Sequence, residues 1–242
     1  MADTPTTTLA GTGIRVHFDG VKAVDGADIT LAGGETVGLI GPNGAGKTTL
    51  LNVLTGFQVP TEGTIAIDGV DVTGRPPERL ARAGVARTFQ GVHSFSDLTV
   101  FENVEAAGVG VGLRRRAARE RAHEALERMG LQGRGEELAR SLPTGDERRL
   151  QVARAIAMRP RFLFLDEPAA GLDETESDAL VEAISALPTD LGCGVLIIDH
   201  DMRVIMRLCQ RIHVLNFGVP LMVGTPEEVR ADPTVIEAYL GS

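Results

Sequence analysis

A glycine-rich segment at positions 41–48 constrains the fold of this chain more than any other feature. It fits the pattern G-x-x-x-x-G-K-[ST], follows a short apolar run and opens a helical pattern that Gly56 ends. The segment consists of Gly41, Pro42, Asn43, Gly44, Ala45, Gly46, Lys47 and Thr48. A strand, a loop and a helix in this order predict a phosphate-binding loop, in which backbone N–H groups and the helix N-terminus face the phosphates of a nucleotide.

The last residues of this loop indicate how a nucleoside triphosphate would be held. Lys47 would neutralise the β- and γ-phosphates, and the Thr48 hydroxyl would hold Mg²⁺. Thr49, in the first turn of the following helix, belongs to the same predicted binding set. Of the 24 basic residues only Lys22 and Lys47 are lysines, so a chance match to the pattern is rare.

Short apolar runs alternate with helical patterns along the chain. Four of them are typical of buried strands: residues 36–40, 162–165, 194–198 and 212–215. Their alternation with helices predicts an α/β fold with a mainly parallel sheet covered on both faces. Residues 14–18 and 63–69 alternate between apolar and polar, which predicts N-terminal antiparallel strands with one solvent-exposed face. From about residue 96 to residue 157 helical patterns dominate, which predicts an inserted helical lobe.

Length and charge exclude several classes of protein. A chain of 242 residues predicts one large domain with an inserted lobe. Its formal net charge of -9 disfavours a nucleic-acid surface, because phosphate binding requires clustered Lys and Arg. No run approaches the roughly 20 apolar residues that cross a bilayer, and the N-terminus lacks the pattern of a signal peptide, so we expect a cytoplasmic chain. Cys193 and Cys209 lack C-x-x-C spacing, and no role is assigned to them.

Two carboxylates follow the apolar run at 162–165. The carboxyl ends of parallel strands meet at one edge of a sheet, so Asp166 and Glu167 are expected beside the phosphate loop. Asp166 would hold Mg²⁺, and Glu167 would polarise the attacking water. An acidic strand end can instead cap a helix, but its combination with the phosphate loop favours catalysis.

His200 follows the apolar run at 194–198 and is expected at the same edge. A lone histidine usually has a structural role. Beside a nucleotide, however, its ring nitrogens could contact the γ-phosphate and orient the water. We therefore include His200 among the predicted catalytic residues.

Together these residues resemble the ATP-binding subunits of ABC transporters, and the resemblance covers about residues 11–242. It implies a P-loop NTPase fold with a RecA-like core at about residues 11–90 and 158–242, and a helical subdomain at about 91–157. It also implies a C-terminal extension of the branched-chain amino acid type at about residues 218–242.

A second signature of this family is usually L-S-G-G-Q, and the matching segment here is Leu142-Pro143-Thr144-Gly145-Asp146. The frame matches, but the serine and the glutamine are absent. The resemblance implies that Gly145 contacts ATP on the phosphate loop of a second subunit in a head-to-tail dimer. Pro143 offers neither a hydroxyl nor an N–H group, and the charge of Asp146 is expected to repel phosphate. We therefore expect this signature to build the weaker of the two ATP sites in a heterodimer.

Three further assignments depend on the resemblance alone. Gln90 resembles the glutamine that links Mg²⁺ to the membrane subunits, and this implies a catalytic and metal-binding role. Phe18 occupies the place of the aromatic residue that stacks on adenine, although a core position on a short strand is an alternative. The segment Gly171-Leu172-Asp173 resembles the loop that crosses the dimer interface.

The finer resemblance favours importers of branched-chain amino acids or related small polar solutes. It depends on residues 55–57 (TGF), 87–90 (RTFQ) and 166–172 (DEPAAGL), and on the C-terminal residues 232–241. ATP and Mg²⁺ are the implied cofactors. The implied partners are transmembrane permease subunits and a second ATP-binding subunit, homologous or identical, on the inner face of the cell membrane. The resemblance implies that this chain does not contact the transported solute directly.

Three alternatives stay open at this point. The chain could be the ABC ATPase of an envelope-lipid exporter, it could serve a soluble assembly, or it could be an ATP-driven dimerisation switch that hydrolyses weakly. The altered signature favours the switch. The presence of Lys47, Asp166, Glu167 and His200 favours an active ATPase.

Overall fold

The computed structural model describes residues 7–89 and 94–240. The described part contains ten strands: β1 (Thr8–Phe18), β2 (Val21–Ala32), β3 (Thr36–Ile40), β4 (Glu62–Ile67), β5 (Val70–Asp71), β6 (Val85–Arg87), β7 (Phe162–Asp166), β8 (Gly194–Ile198), β9 (Arg211–Asn216) and β10 (Val219–Gly224). It also contains ten α-helices: α1 (Lys47–Leu54), α2 (Pro77–Arg82), α3 (Val100–Gly110), α4 (Arg115–Arg128), α5 (Thr144–Ala157), α6 (Glu174–Ser185), α7 (Leu187–Leu191), α8 (Met202–Leu208), α9 (Pro226–Ala231) and α10 (Pro233–Leu240).

Six strands form the central sheet in the order β10-β9-β3-β8-β7-β6. The five strands from β9 to β6 run parallel to one another, whereas β10 runs antiparallel to β9. Strands β3, β7 and β8 are buried at every position, as expected for central strands covered on both faces. The four apolar runs of the sequence are thus β3, β7, β8 and β9, and the predicted mainly parallel sheet is confirmed.

Successive residues of each central strand enter two different hydrophobic cores. In β7, Leu163 and Leu165 pack in the core formed with the helices, whereas Phe162 and Phe164 pack in the core shared with the N-terminal strands and α1. This follows from the two-residue period of a strand. The rigid sheet between two cores fixes the positions of the loops at its carboxyl edge.

The N-terminal strands form a second sheet in the order β2-β1-β4-β5, with antiparallel pairs. In β1 the apolar residues Leu9, Ile14 and Val16 are buried, while their neighbours are mostly more exposed. The predicted antiparallel β subdomain is therefore confirmed.

Helices α3, α4 and α5 dominate the chain between β6 and β7. Thr99 begins α3 with a capping box, in which its hydroxyl accepts from the N–H of Glu102 and the Glu102 carboxylate accepts from the N–H of Thr99. Ala118, Ala122 and Ala125 form the buried stripe of α4. Within the described ranges, no helix has the length and apolar character needed to span a membrane.

Candidate active site

The loops that follow β3, β7 and β8 lie side by side, because these three strands are adjacent in the central sheet. The glycine-rich loop follows β3, Asp166 and Glu167 lie at the end of β7, and His200 follows β8. Carboxyl ends of parallel strands share one edge, so the sheet brings these groups together. Residues separated by more than 100 positions in the sequence thus meet at one place.

The glycine-rich loop is wedged between β2 and the turn after β9. A Cβ atom on Gly46 would lie 2.2 Å from the carbonyl oxygen of Ala23, and one on Gly41 would lie 2.1 Å from that of Leu215. Both glycines also have positive φ angles, 97° at Gly46 and 153° at Gly41. Only glycine fits these two positions, which explains the spacing of the motif.

Lys47 begins α1 and folds back over the loop. Its Nζ atom donates to the carbonyl oxygens of Gly41 at 2.7 Å and Pro42 at 3.0 Å. Burial lowers the pKa of Lys47, and the charges of Glu167 and Asp166 oppose that shift. The ammonium group is therefore held where the loop closes, close to the two carboxylates.

A cleft of about 370 Å³ opens over the loop and the start of α1. Seven residues of the predicted binding set line it: Asn43, Gly44, Ala45, Gly46, Lys47, Thr48 and Thr49. Glu167 also lines the cleft, together with five residues that the sequence analysis did not assign: Val21, Lys22, Ala23, Ile198 and Phe217. The phosphate loop and the N-terminus of α1 line the cleft, which suits a polyphosphate. The negative charge of Glu167 does not attract phosphate and suits a role on water instead.

Asp166 is buried at the end of β7. Its Oδ2 atom accepts from the guanidinium of Arg87 at 3.3 Å, and its backbone N–H donates to the hydroxyl of Thr88 at 3.1 Å. Its Oδ1 atom is buried and has no hydrogen-bond partner among the described residues. Burial raises the pKa of Asp166, while the charges of Arg87 and Lys47 hold it down.

The unpartnered Oδ1 of Asp166 fits a divalent cation, because Mg²⁺ is usually held by one or two protein oxygens and by substrate phosphates. The Thr48 hydroxyl, at the start of α1, is the second oxygen that the sequence predicts. No group of three or more His, Cys, Asp or Glu side chains that could hold a metal occurs in the part of the chain described. A bound Mg²⁺ usually takes its remaining ligands from nucleotide phosphates and water.

Glu167 adopts a left-handed backbone conformation, with φ at 48°. Its N–H donates to the carbonyl oxygen of Ile198 at 2.8 Å, which joins the ends of β7 and β8. Non-glycine residues adopt such angles mainly where the surrounding structure imposes them, often at functional sites. The constraint places the Glu167 carboxylate in the wall of the cleft.

His200 lies beside two carboxylates. Its Nδ1 atom is 3.9 Å from Oε1 of Glu167 and 3.7 Å from Oδ1 of Asp199. Asp199 is buried, and burial raises its pKa. Its Oδ1 also accepts from the N–H of Asp201 at 2.9 Å, so this carboxylate supports the turn that carries His200.

Phe18 and Gln90 are less closely tied to the cleft. Phe18 ends β1, pairs with Val21 of β2 and is 46% exposed, so it is not a core residue. It does not line the cleft, although Val21 does. Gln90 lies outside the described residues, and its predicted role stays a prediction.

The signature segment lies at the start of α5, apart from the residues that line the cleft. A Cβ atom on Gly145 would lie 2.7 Å from the carboxylate of Glu176 on α6. Pro143 is the N-cap of α5 and makes no side-chain capping bond. Asp146 is 3.0 Å from the Nε atom of Arg134, so a guanidinium offsets much of the charge that we expected to repel phosphate. We therefore expect Asp146 to repel phosphate less strongly, whereas the expected lack of a hydrogen-bond donor at Pro143 is unchanged.

Sequence reasoning missed several groups around the site. Asp199 could have been found, because it lies at the end of a predicted strand as Asp166 does. Phe217 lies in the turn after β9 and is 77% exposed, with nothing local to mark it. Tyr239 of α10 lies against the backbone of Gly41, a contact that no local pattern predicts.

The chain is similar to known proteins over nearly its whole length. The family model described as ABC transporter matches residues 24–170, and one described as branched-chain amino acid ATP-binding cassette transporter matches residues 221–242. The chain is 45% identical to the high-affinity branched-chain amino acid transport ATP-binding protein LivG of Salmonella typhimurium, over 96% of this chain and 97% of that protein. It is 38% identical to the lipopolysaccharide export system ATP-binding protein LptB of Haemophilus influenzae, over 96% and 97%. A crystal structure of the ADP conformation of an ATP-binding cassette of an ABC transporter has a TM-score of 0.89 and 28% identity, covering 98% of this chain and 99% of that chain.

Proposed function

The chain belongs to the ATP-binding proteins of ABC transporters, and we propose that it energises an importer of branched-chain amino acids or related small polar solutes. As a member of this family it is an ATPase. The observation that carries the choice of solute is the match of its C-terminal residues 221–242 to the branched-chain amino acid model. The identity of 45% to LivG, against 38% to LptB, favours the same choice.

The geometry of the cleft supports a division of labour in ATP hydrolysis. Lys47 and the N–H groups of the glycine-rich loop bind the phosphates, as the loop lines the cleft and its helix begins there. Glu167 polarises the attacking water, because its carboxylate lies in the wall of the same cleft. His200, close to Glu167, orients that water and contacts the γ-phosphate. Positioning and charge supply most of the rate enhancement in such transfers.

Thr48, Asp166 and Gln90 are the residues that we assign to Mg²⁺. When bound, the cation would neutralise the phosphate charge that develops during transfer. Asp166 contributes a buried carboxylate with one unpartnered oxygen, and Thr48 a hydroxyl in the cleft. The adenine is assigned to Phe18, whose ring is exposed at the hairpin end beside the cleft-lining Val21.

The proposed partners are a second ATP-binding subunit and transmembrane permease subunits. In a head-to-tail dimer, Gly145 would contact ATP on the loop of the other subunit, which fits its position away from this chain's own cleft. The permease would dock near residues 90–101, where the exposed Phe95 lies beside the helical lobe. We place the chain on the inner face of the membrane. Its proposed parts include a helical subdomain at about residues 91–157 and a C-terminal extension at about residues 218–242.

The test is uptake of radiolabelled leucine by cells that lack this chain and carry either the wild-type gene or the Glu167→Gln variant. We expect the wild-type chain to restore leucine uptake and the variant to leave it at background, with sugar uptake equal in both strains. Equal leucine uptake in the two strains, together with a loss of envelope-lipid export in the variant strain, would identify the exporter alternative. Equal leucine uptake with no membrane protein co-purifying would identify a soluble assembly.

A further inference from the structure

Arg87, the last residue of β6, contacts both the nucleotide site and a separate groove. Its side chain is only 8% exposed. NH2 donates to Oδ2 of Asp166 at 3.3 Å, and NH1 donates to Oδ1 of Asn52 at 2.7 Å and to the hydroxyl of Thr55 at 3.3 Å. Nε donates to the carbonyl oxygen of Thr88 at 3.1 Å. One guanidinium thereby ties the end of β7 to the end of α1, the helix that Lys47 begins.

Two aromatic rings enclose the same guanidinium. Its Cζ atom lies 4.5 Å from the ring centroid of Phe89 and 5.2 Å from that of Phe57, and the two rings meet edge to face at 5.3 Å. Phe57 is 50% exposed and Phe89 is 37% exposed. Both rings and Arg87 line a groove of about 500 Å³ that lies between the core and α3. The counterion of Asp166 therefore also forms part of the surface of this groove.

The contacts of Arg87 indicate that it positions the Asp166 carboxylate and does more than balance its charge. A planar guanidinium can bond to several acceptors in fixed directions, whereas an ammonium is a single compact charge. Arg87 uses this geometry to hold Oδ2 of Asp166 and leaves Oδ1 without a partner among the described residues. A carboxylate held in this way presents one defined oxygen to a cation.

We propose that Arg87 is a positioning residue that orients the Asp166 carboxylate for the divalent cation, and that Phe57 and Phe89 hold the guanidinium in the orientation that this requires. The proposal builds on the MgATP site described above. The two rings lie against the guanidinium, so they restrict the positions from which it can bond to Asp166. No step of hydrolysis needs to involve Arg87 itself.

The experiment compares ATP binding without metal and Mn²⁺ binding to the ATP complex, the latter by electron paramagnetic resonance. Arg87→Met should leave metal-free ATP affinity within about twofold of wild type and weaken Mn²⁺ binding roughly tenfold, as one charged hydrogen bond predicts. Arg87→Lys should weaken Mn²⁺ binding too, because it keeps the charge and loses the fork. If Arg87 had a purely structural role, its variants would have a lower melting temperature, and their affinities for ATP and for Mn²⁺ would change together.

Two variants on the same groove complete the design. Arg154→Met removes another, partly buried arginine, whose Cζ atom lies 5.1 Å from the ring centroid of Phe95, and should leave Mn²⁺ affinity unchanged. Phe57→Leu changes an exposed side chain, should fold even if Arg87→Met does not, and should weaken Mn²⁺ binding about threefold. Wild-type Mn²⁺ affinity in both Phe57→Leu and Arg87→Lys overturns the inference. Failure of the wild-type chain to bind ATP would instead overturn the proposed function.

Discussion

The Nδ1 atom of His200 lies 3.9 Å from Oε1 of Glu167, across the gap between the ends of β8 and β7. This distance is too long for a direct hydrogen bond and suits two groups that act on a common third one. The side chain of His200 is 70% exposed, and that of Glu167 is 29% exposed. Both side chains are thus accessible to solvent, and Glu167 is the one of the two that lines the cleft.

Replacing Glu167 by Gln should leave ATP binding intact and stall hydrolysis. The amide keeps the shape of the side chain but loses the charge that polarises water. Turnover of the assembled transporter should fall at least about 100-fold, within the range for loss of a general base. ATP affinity within a factor of about two serves as the control. Undiminished turnover would show that another residue activates the water.

Replacing Phe18 by Ala should weaken ATP binding about tenfold, since stacking of a base on an aromatic ring contributes about 1–3 kcal/mol. Phe18→Tyr should retain the affinity, because the ring remains. Tripolyphosphate has no base to stack, so competition titrations should give equal affinities for it in all three proteins. If Phe18→Ala binds ATP like wild type, adenine does not stack on this ring.

Replacing Pro143 by Ser should strengthen the ATP site that uses this chain's signature. The new hydroxyl can donate to a phosphate, and such a charged hydrogen bond contributes about 1.5–3 kcal/mol. Asp146→Gln alone should have a smaller effect, because Arg134 already offsets the charge of Asp146. The measurement uses a heterodimeric transporter in which Glu167→Gln silences this chain's own site. Equal residual ATPase rates with Pro143 and Ser at this position would contradict the predicted asymmetry.

The buried His213 of β9 should make the fold less stable in mild acid. Burial lowers the pKa of His213 to about 4, and its Nε2 atom lies 3.0 Å from NH1 of Arg211. The unfolded chain takes up a proton near the ordinary pKa of about 6.5, so stability is complete above that pH and is lost as pH falls toward 4. This residue alone should remove about 2 kcal/mol of the free energy of unfolding between pH 7.5 and pH 5.

The matched control for this effect is His213→Gln, which keeps an acceptor for Arg211 and cannot take up a proton near neutral pH. Urea unfolding at pH 7.5, 6 and 5 measures the difference between the two proteins. Wild type should lose more stability than the variant as the pH falls. Parallel losses would show that His213 titrates normally in the folded state.

Much of this site follows from local sequence. The loop at 41–48 is recognisable because its glycines fit where a Cβ atom would collide with Ala23 or Leu215. Asp166 and Glu167 are predictable because buried parallel strands read as continuous apolar runs, and their ends share an edge. Each of these two features is encoded by a stretch of about ten residues.

Other features depend on contacts between distant parts of the chain. Arg134 and Asp146 are separated by an irregular segment, and nothing in the sequence pairs them. Arg87 belongs to a recognisable tetrapeptide, yet its bond to Asp166 spans 79 positions. The contact of Tyr239 with the backbone of Gly41 joins the last helix to the glycine-rich loop. Such contacts arise from tertiary packing, which local patterns do not specify.

The most direct test of the account is calorimetric titration of ATP into the purified chain and its Lys47→Ala variant. Lys47 is the cation that closes the phosphate loop, and its Nζ atom bonds only to loop carbonyls among the described residues, so its removal should leave the melting temperature nearly unchanged. Loss of a charged hydrogen bond of about 1.5–3 kcal/mol predicts that ATP affinity falls at least about tenfold in the variant. Equal ATP affinity in the two proteins would contradict the assignment of this cleft as the nucleotide site.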